Sequence, residues 1–320
     1  MPFLNPPDVM PEAMRFITRA LLAGGGSLIE DELFRLVSPL GLVEATSGEG
    51  EEPGGESRSY RTGGRIIATA SLAAMRGAGL VEPTARGDRR VVLAQHVHSH
   101  FQSWEQVSAP EFAAFLRSSV LAGARDVYDE ADQNGGVEDL AFATALLLAI
   151  PDPLTPITSF EKGSGKSLVG VQTAEISDDI GKWVIRNRER YLPLTRWVTY
   201  LGLARGINSQ GLLVVDPSEA LEHLAVPLLD RQLSMNEFLD RLAPVMPYSD
   251  RGPIGSSLRR SLNPRPGEDQ VSPGLALGLQ TLNLRKKLQL TLLSDAESME
   301  FPIGVDRSIR YSHIAPGVTR

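Results

Sequence analysis

Few stretches of this sequence carry residue types that could bind phosphate, hold a metal or move protons. "EKGSGKSL" sets Gly165, Lys166 and Ser167 in the order that closes a phosphate loop, in which backbone amides surround the phosphates and a lysine reaches them. That loop needs a glycine at position 160, which is Phe160. The preceding "PLTPITS" carries two prolines and makes a poor buried strand, so a Gly/Ser loop is the expected reading. In "QHVHSHF" the residues His96, His98 and His100 alternate, and on a strand they would share one face as metal ligands can. Glu105 is the only nearby acid, and the chain has five histidines in all. A polar strand edge is therefore expected, with a metal-dependent enzyme built on these histidines as an alternative. The carboxylates of "DVYDEAD" and "SDD" fall in runs typical of solvated surface. Neither a "GxSxG" elbow nor an "HExxH" helix occurs. No catalytic residue, no metal ligand and no cofactor is expected.

Basic side chains remain. Arg86, Arg89 and Arg90 crowd one turn, and Arg65 and Arg76 lie on the helix before it. Towards the C-terminus, Arg259 and Arg260 lie near the end of one helix, and Arg285, Lys286 and Lys287 follow the next. Guanidinium forks suit phosphate oxygens, so these are the candidate nucleic-acid-binding residues. The net charge of −7 opposes phosphate, so any such surface must be local. The helix "RIIATASLAAMRG" shows Thr69 and Ser71 but no Asn, Gln or Lys to read base edges. The turn is thus expected to touch phosphate, while the helix docks protein or completes the core.

The elements that must position these residues follow from composition and periodicity. With 320 residues, 42% hydrophobic and 22% charged, the chain is long enough for two or three domains. It has no cysteine, which excludes disulfides, thiolate metal sites and a thiol nucleophile and fits a cytoplasmic location. No signal peptide is expected from "MPFLNPPDVMPEAMRF", and "LAFATALLLAI" is too short to span a bilayer. A helix is predicted over 11–23, ended by "GGG". Ser27 and Glu30 form a candidate capping box for a second helix with Leu28, Ile29, Leu33, Leu36 and Val37 on its apolar face. Residues 46–64 are Gly-rich and acidic, a flexible loop. A third helix over 65–77 ends in "GAGLVE", and "RVVLAQHV" reads as a strand after a polar turn.

Helix, helix, helix, short strand, turn, strand is the order of a winged helix-turn-helix. The grammar recurs in "PLTRWVTYLGLARGINSQGLLVVDPSEAL" and in "SPGLALGLQTLNLRKKLQLTLLSDAE", where "SIRYSHI" is the expected return strand. Helices over "MNEFLDRLAPVM" and "GPIGSSLRRSL" precede the last unit, which contains the loop "NPRPGEDQ". Further helical segments lie around 109–121 and 137–150. The expected fold is mainly α with small β-wings: tandem winged helix-turn-helix-like units joined by helical segments. The expected domains are 1–103, a central helical domain over 104–230, and 231–320.

The ordered set "FLNPPDVMP", "LLAGGGSLIEDELFRLVSP", "RWVTYLGLA", "LLVVDPSEAL", "EFLDRLAPVMP" and "SPGLALGLQTLNLRKKLQLTLLSDAE" resembles the DpdG proteins of the bacterial Dpd cluster. That cluster puts 7-deazaguanine derivatives into DNA and restricts DNA lacking them. The resemblance implies an accessory component of an anti-phage system, with other defence-system proteins as partners. Its motifs are leucine and glycine patterns and carry no catalytic residue over. DNA is a further candidate partner, no membrane is expected, and assembly with identical copies is compatible with this reading. The expected function is a non-catalytic nucleic-acid-binding or adaptor subunit. A winged-helix transcriptional regulator is the alternative.

Overall fold

A computed structural model describes residues 3–38, 63–83, 89–125, 137–158, 166–176, 185, 188–207, 212–304 and 307–317. The chain is mainly helical with small sheets and divides into two compact units, Met1–Phe112 and Ala113–Arg320. The acidic stretch 46–62 lies outside the described residues.

In the first unit, helix α1 (Pro11–Ala23) opens on a proline, whose missing N–H would have gone unpaired at this position anyway. It buries Met14, Ile17 and Leu21. Gly25 at φ 74° ends it, with Gly25 N–H bonded to the Leu22 carbonyl and Gly26 N–H to that of Leu21. This paired closure is a Schellman turn, which needs a left-handed residue. Strand β1 (Ser27–Ile29) follows, then α2 (Glu30–Val37), α3 (Gly63–Gly77) and β2 (Arg90–Val92). β2 pairs antiparallel with β1, setting Leu28 opposite Val91, and Leu93 bridges Val81. The last strand thus lies between its two neighbours.

Two expectations are corrected here. Ser27 caps no helix: it pairs with Val92, and α2 starts at Glu30 with no side-chain cap. Strand pairing between residues distant in sequence overrides the local capping signal. The histidines do not lie on a strand either. Pairing ends at the Val81–Leu93 bridge, and Gln95–His100 forms helix α4. Alternate residues on a helix are turned about 200° apart, so His98 faces away from His96 and His100 and the three lack the single face expected of them.

The second unit begins within α5 (Ala109–Phe115) and continues with α6 (Glu138–Ala149), which is buried on every side. Then come β3 (Ile157–Thr158), β4 (Lys166–Ser167), α7 (Leu168–Glu175), α8 (Arg188–Tyr200), β5 (Ala204–Gly206) and β6 (Leu213–Val215). β6 runs antiparallel between β3 and β5, and β4 pairs in parallel with β3. Arg117 is fully buried and its Nη1 donates to the Leu201 carbonyl at 2.8 Å, just past the end of α8 where the helix dipole favours a cation. Burial lowers its pKa, and the fields of Tyr248, Glu219 and Tyr200 act the other way.

The chain proceeds through α9 (Ser218–Leu224), β7 (Leu233–Ser234), α10 (Met235–Leu242), α11 (Pro253–Ser261), α12 (Pro273–Leu284) and β8 (Leu288–Thr291). It ends in β9 (Met299–Gly304), β10 (Arg307–Tyr311) and β11 (His313–Pro316). β11 lies antiparallel between β7 and β8. The expected return strand "SIRYSHI" is therefore two strands. Its first part belongs to β10, which pairs with β9, and only the residues from His313 return to β8. The corner is Ser312, fully buried, whose carbonyl accepts the Met235 N–H and whose hydroxyl accepts that of Leu293. Pro302 inside β9 had hidden that strand, because proline cannot donate to a ladder.

A related arrangement occurs three times: a short strand, helices, a strand, and a later strand that pairs with both; the second copy adds β4 beside β3, and in the third the β9–β10 hairpin stands between β8 and β11. The helix before the second strand closes the same way each time. Leu80 N–H bonds Met75 O around Gly79, Leu203 N–H bonds Val198 O around Gly202, and Lys287 N–H bonds Leu282 O around Lys286. The third turn has no glycine, and Lys286 takes φ 60° itself.

Candidate nucleic-acid interface

The first basic set surrounds the opening turn of α2, "EDE". Arg76 Nη2 lies 2.8 Å from Glu30 Oε2. Asp31 stands between Arg65, at 3.5 Å, and Arg89, at 3.6 Å. The Arg65 guanidinium also lies 5.5 Å from the centre of the Phe34 ring. Arg90 Nη1 donates to Ser27 Oγ at 3.4 Å, and Arg86 lies outside the described residues. The acids gather these arginines on one face and also compete with phosphate for them. The competition is shallow, because exposed pairs contribute only about 0–1 kcal/mol. On α3, Thr69 is exposed, but Ser71 is fully buried and accepts the Met10 N–H. The expected pair of base-edge groups is thus reduced to Thr69.

The second basic set divides by role. Arg259 is an internal clamp: it pairs with Asp250 at 3.3 Å and donates to the carbonyls of Gly267 and Gln270 at 3.0 and 2.7 Å. Its side chain is only 15% exposed, and Asp250 also accepts the Ser272 N–H. Lys287 is tied to Glu222 at 2.6 Å. Arg260, Arg285 and Lys286 are exposed and have no ion-pair partner among the described residues. Sequence reasoning missed Arg265, which shares that state in the loop joining α11 to α12. An arginine between two prolines in "NPRPGEDQ" is its only signal.

Helix α12 is held closely along one face. A Cβ added at Gly274 would lie 2.8 Å from Leu148 Cα of α6, and one at Gly278 would lie 2.5 Å from a Leu221 methyl of α9. Exposure begins only at Leu284, which is 81% exposed, and continues through Lys287. One side of the helix is thus packed, a stripe of Leu277, Gln280 and Thr281 is half-buried, and its basic exit is exposed.

Other sequence signals find no support in the geometry. Lys166 and Ser167 pair with Ile157 and Thr158 as a strand, whereas in a phosphate loop they would open a helix. Residues 159–165 lie outside the described residues. No group of three or more His, Asp or Glu among the described residues is arranged to hold a metal ion. No helix among them is long and apolar enough to cross a membrane. No curated protein and no solved structure matches the chain. A family model described as DpdG-like matches residues 1–296, so the chain belongs to the DpdG-like family and with it to the Dpd defence cluster.

Proposed function

We propose that this protein is a non-catalytic subunit of the Dpd system that holds nucleic acid by its phosphates through winged-helix-like units. The observation that carries this reading is the separation of charge from base-reading surface. Arg285 and Lys286 stand exposed just past the end of α12, and α3 presents Thr69 beside its arginines. Phosphate contacts position a protein on a duplex, whereas sequence is read by polar side chains on base edges. The recurring middle place of the later strand supports the winged-helix-like reading. DpdG-like membership supports work in a multi-component system, where chemistry on DNA belongs to other subunits. A transcriptional regulator confined to one operator would need a base-reading helix, and α3 offers Thr69 alone beside its arginines.

The test is titration of the full chain against random duplex at several salt concentrations. Binding without sequence preference is expected, steeply weakened by salt. The variant with Arg86, Arg89 and Arg90 all changed to Ala should bind every sequence equally less well, with a salt slope shallower by up to roughly three units. Arg285→Ala with Lys286→Ala should act in the same direction. Absence of wild-type binding at low salt would assign the units to protein assembly instead.

A further inference from the structure

The loop between α11 and α12 carries a feature that duplex binding does not use. A cleft of about 320 Å³ opens against it, lined by Asp250, Arg251, Arg259, Arg260, Arg265 and Glu268. That volume lies at the small end of ligand pockets, which run from about 300 to 1,000 Å³. A second cleft of about 540 Å³ shares Arg251 and Glu268 with it, so the space continues past the rim.

The wall is built from arginines of two kinds. Arg259 is fixed on Asp250 and the loop carbonyls, as described above. Arg251 is fixed too: its Nη1 donates to Asp240 Oδ1 at 2.7 Å and to the Asn236 carbonyl at 3.1 Å, and its Nη2 to Asn236 Oδ1. The loop itself is tied to the hairpin by Arg310, which reaches Asp269 at 2.6 Å. Against this fixed wall, Arg260 and Arg265 line the same cleft with no ion-pair partner among the described residues. Asp250 is already taken up by Arg259 and the Ser272 N–H, which leaves Glu268 as the one uncommitted acid in the lining. Two free guanidinium groups beside one carboxylate favour a ligand with an anionic oxygen cluster at one end and hydroxyl or amine donors at the other.

We propose that this cleft binds the phosphate monoester of a single nucleotide, either free or at the end of a nucleic-acid strand. Arg260 and Arg265 contact the phosphate. Glu268 accepts from a sugar hydroxyl or a base amine. The site is separate from the duplex contacts of Arg285 and Lys286.

Calorimetric titration of the full chain tests this with dAMP, dGMP, inorganic phosphate, and one single-stranded oligonucleotide bearing either a 5′-phosphate or a 5′-hydroxyl. Mononucleotide or 5′-phosphorylated strand should bind in the submillimolar range, and the 5′-hydroxyl strand at least tenfold more weakly than its phosphorylated form. Arg260→Ala with Arg265→Ala should weaken binding at least tenfold. Both side chains are exposed, so folding should be retained, and an unchanged melting curve checks it. Arg260→Lys with Arg265→Lys should give an intermediate loss, since lysine keeps the charge but not the fork. Phosphorylated strand binding much tighter than mononucleotide would assign the strand end, and equal binding would assign the free nucleotide. Binding of neither, binding indifferent to the double Ala variant, or inorganic phosphate binding as tightly as nucleotide would overturn the proposal. Random-duplex affinity, measured on the same samples, should follow Arg285→Ala with Lys286→Ala and not Arg265→Ala alone, which should still weaken nucleotide binding, and this separates the outcome from the fate of the duplex reading.

Discussion

In the first unit Arg65, Arg76 and Arg89 each lie against Glu30 or Asp31, whereas in the second Arg260, Arg265, Arg285 and Lys286 face solvent without a carboxylate partner among the described residues. The two regions look alike as strings of basic letters. They differ in where the acids lie. In the first, a short acidic turn gathers exposed arginines. In the second, the acids are used on buried or anchoring cations such as Arg259 and Lys287, and the rest of the basic set is left free. Availability for phosphate is thus a property of the neighbours and not of the arginine.

The largest expected effect separates clamp from tether. Arg259→Ala removes charge-assisted bonds to Asp250, Gly267 and Gln270 and leaves a nearly buried carboxylate with the Ser272 amide alone. It should cost about 3 kcal/mol in denaturant unfolding. Arg76→Ala, which breaks a half-exposed pair of similar appearance, should cost no more than about 1 kcal/mol. Equal losses would break the comparison.

A smaller effect concerns the strained lysine. Lys286→Gly should stabilise the fold by about 0.5–1 kcal/mol, because glycine adopts φ 60° without a Cβ clash. Gly79→Ala should lose about as much. Gly202→Ala should lose more, since its Cβ would fall 2.9 Å from the Glu219 side chain. If Lys286→Gly also weakens duplex binding, the strain is held for the sake of the charge.

Next in size is the release of the first set. Asp31→Asn should raise duplex affinity roughly threefold to tenfold at low salt, with the gain fading as salt rises. No gain would mean that the acid only gathers the arginines and does not compete for them.

The smallest effect is on pH. The hydrogen bond from Arg310 holds the Asp269 carboxyl below its usual range. A depressed folded pKa gives stabilisation that is present above the ordinary carboxylate value and lost as pH falls through the depressed one. The cleft loop should therefore stay anchored from pH 7 to 5 and loosen only in stronger acid, as the amide shift of Gln270 would report by NMR.

Much of the frame was legible in the sequence, because local chemistry writes it there. "AGLV" and "LGLA" mark two helix ends through glycine, and the β-rich run "RVVL" after a polar turn marks β2. The third helix end was placed from its leucines, since Lys286 does a glycine's work and carries no such mark. The histidine helix was misread because strand length there depends on Val81, well upstream in the chain. Gly274 and Gly278 were visible, but that they admit α6 and α9 along one face of α12 depends on long-range packing. For the same reason the pairing of Asp31 with Arg65 and Arg89, which decides how available they are, could not be seen in spacing.

The middle place of each last strand bears on how the chain is made. β11 lies between β7 and β8, yet it emerges from a ribosome roughly 80 residues after β7. Its partner β8 is complete roughly 25 residues earlier, so at about 5–20 residues per second the nascent chain carries that sheet with a gap at its centre for on the order of a few seconds. During that interval β7 and β8 each show an unpaired edge, and a free-standing copy of β11 from a neighbouring chain could fill it. A cut ahead of His313 would make the vacancy permanent, removing the strand that joins the sheet and not one at its margin. Loss of the last strand should therefore cost this unit its sheet, whereas loss of an edge strand would only shorten one.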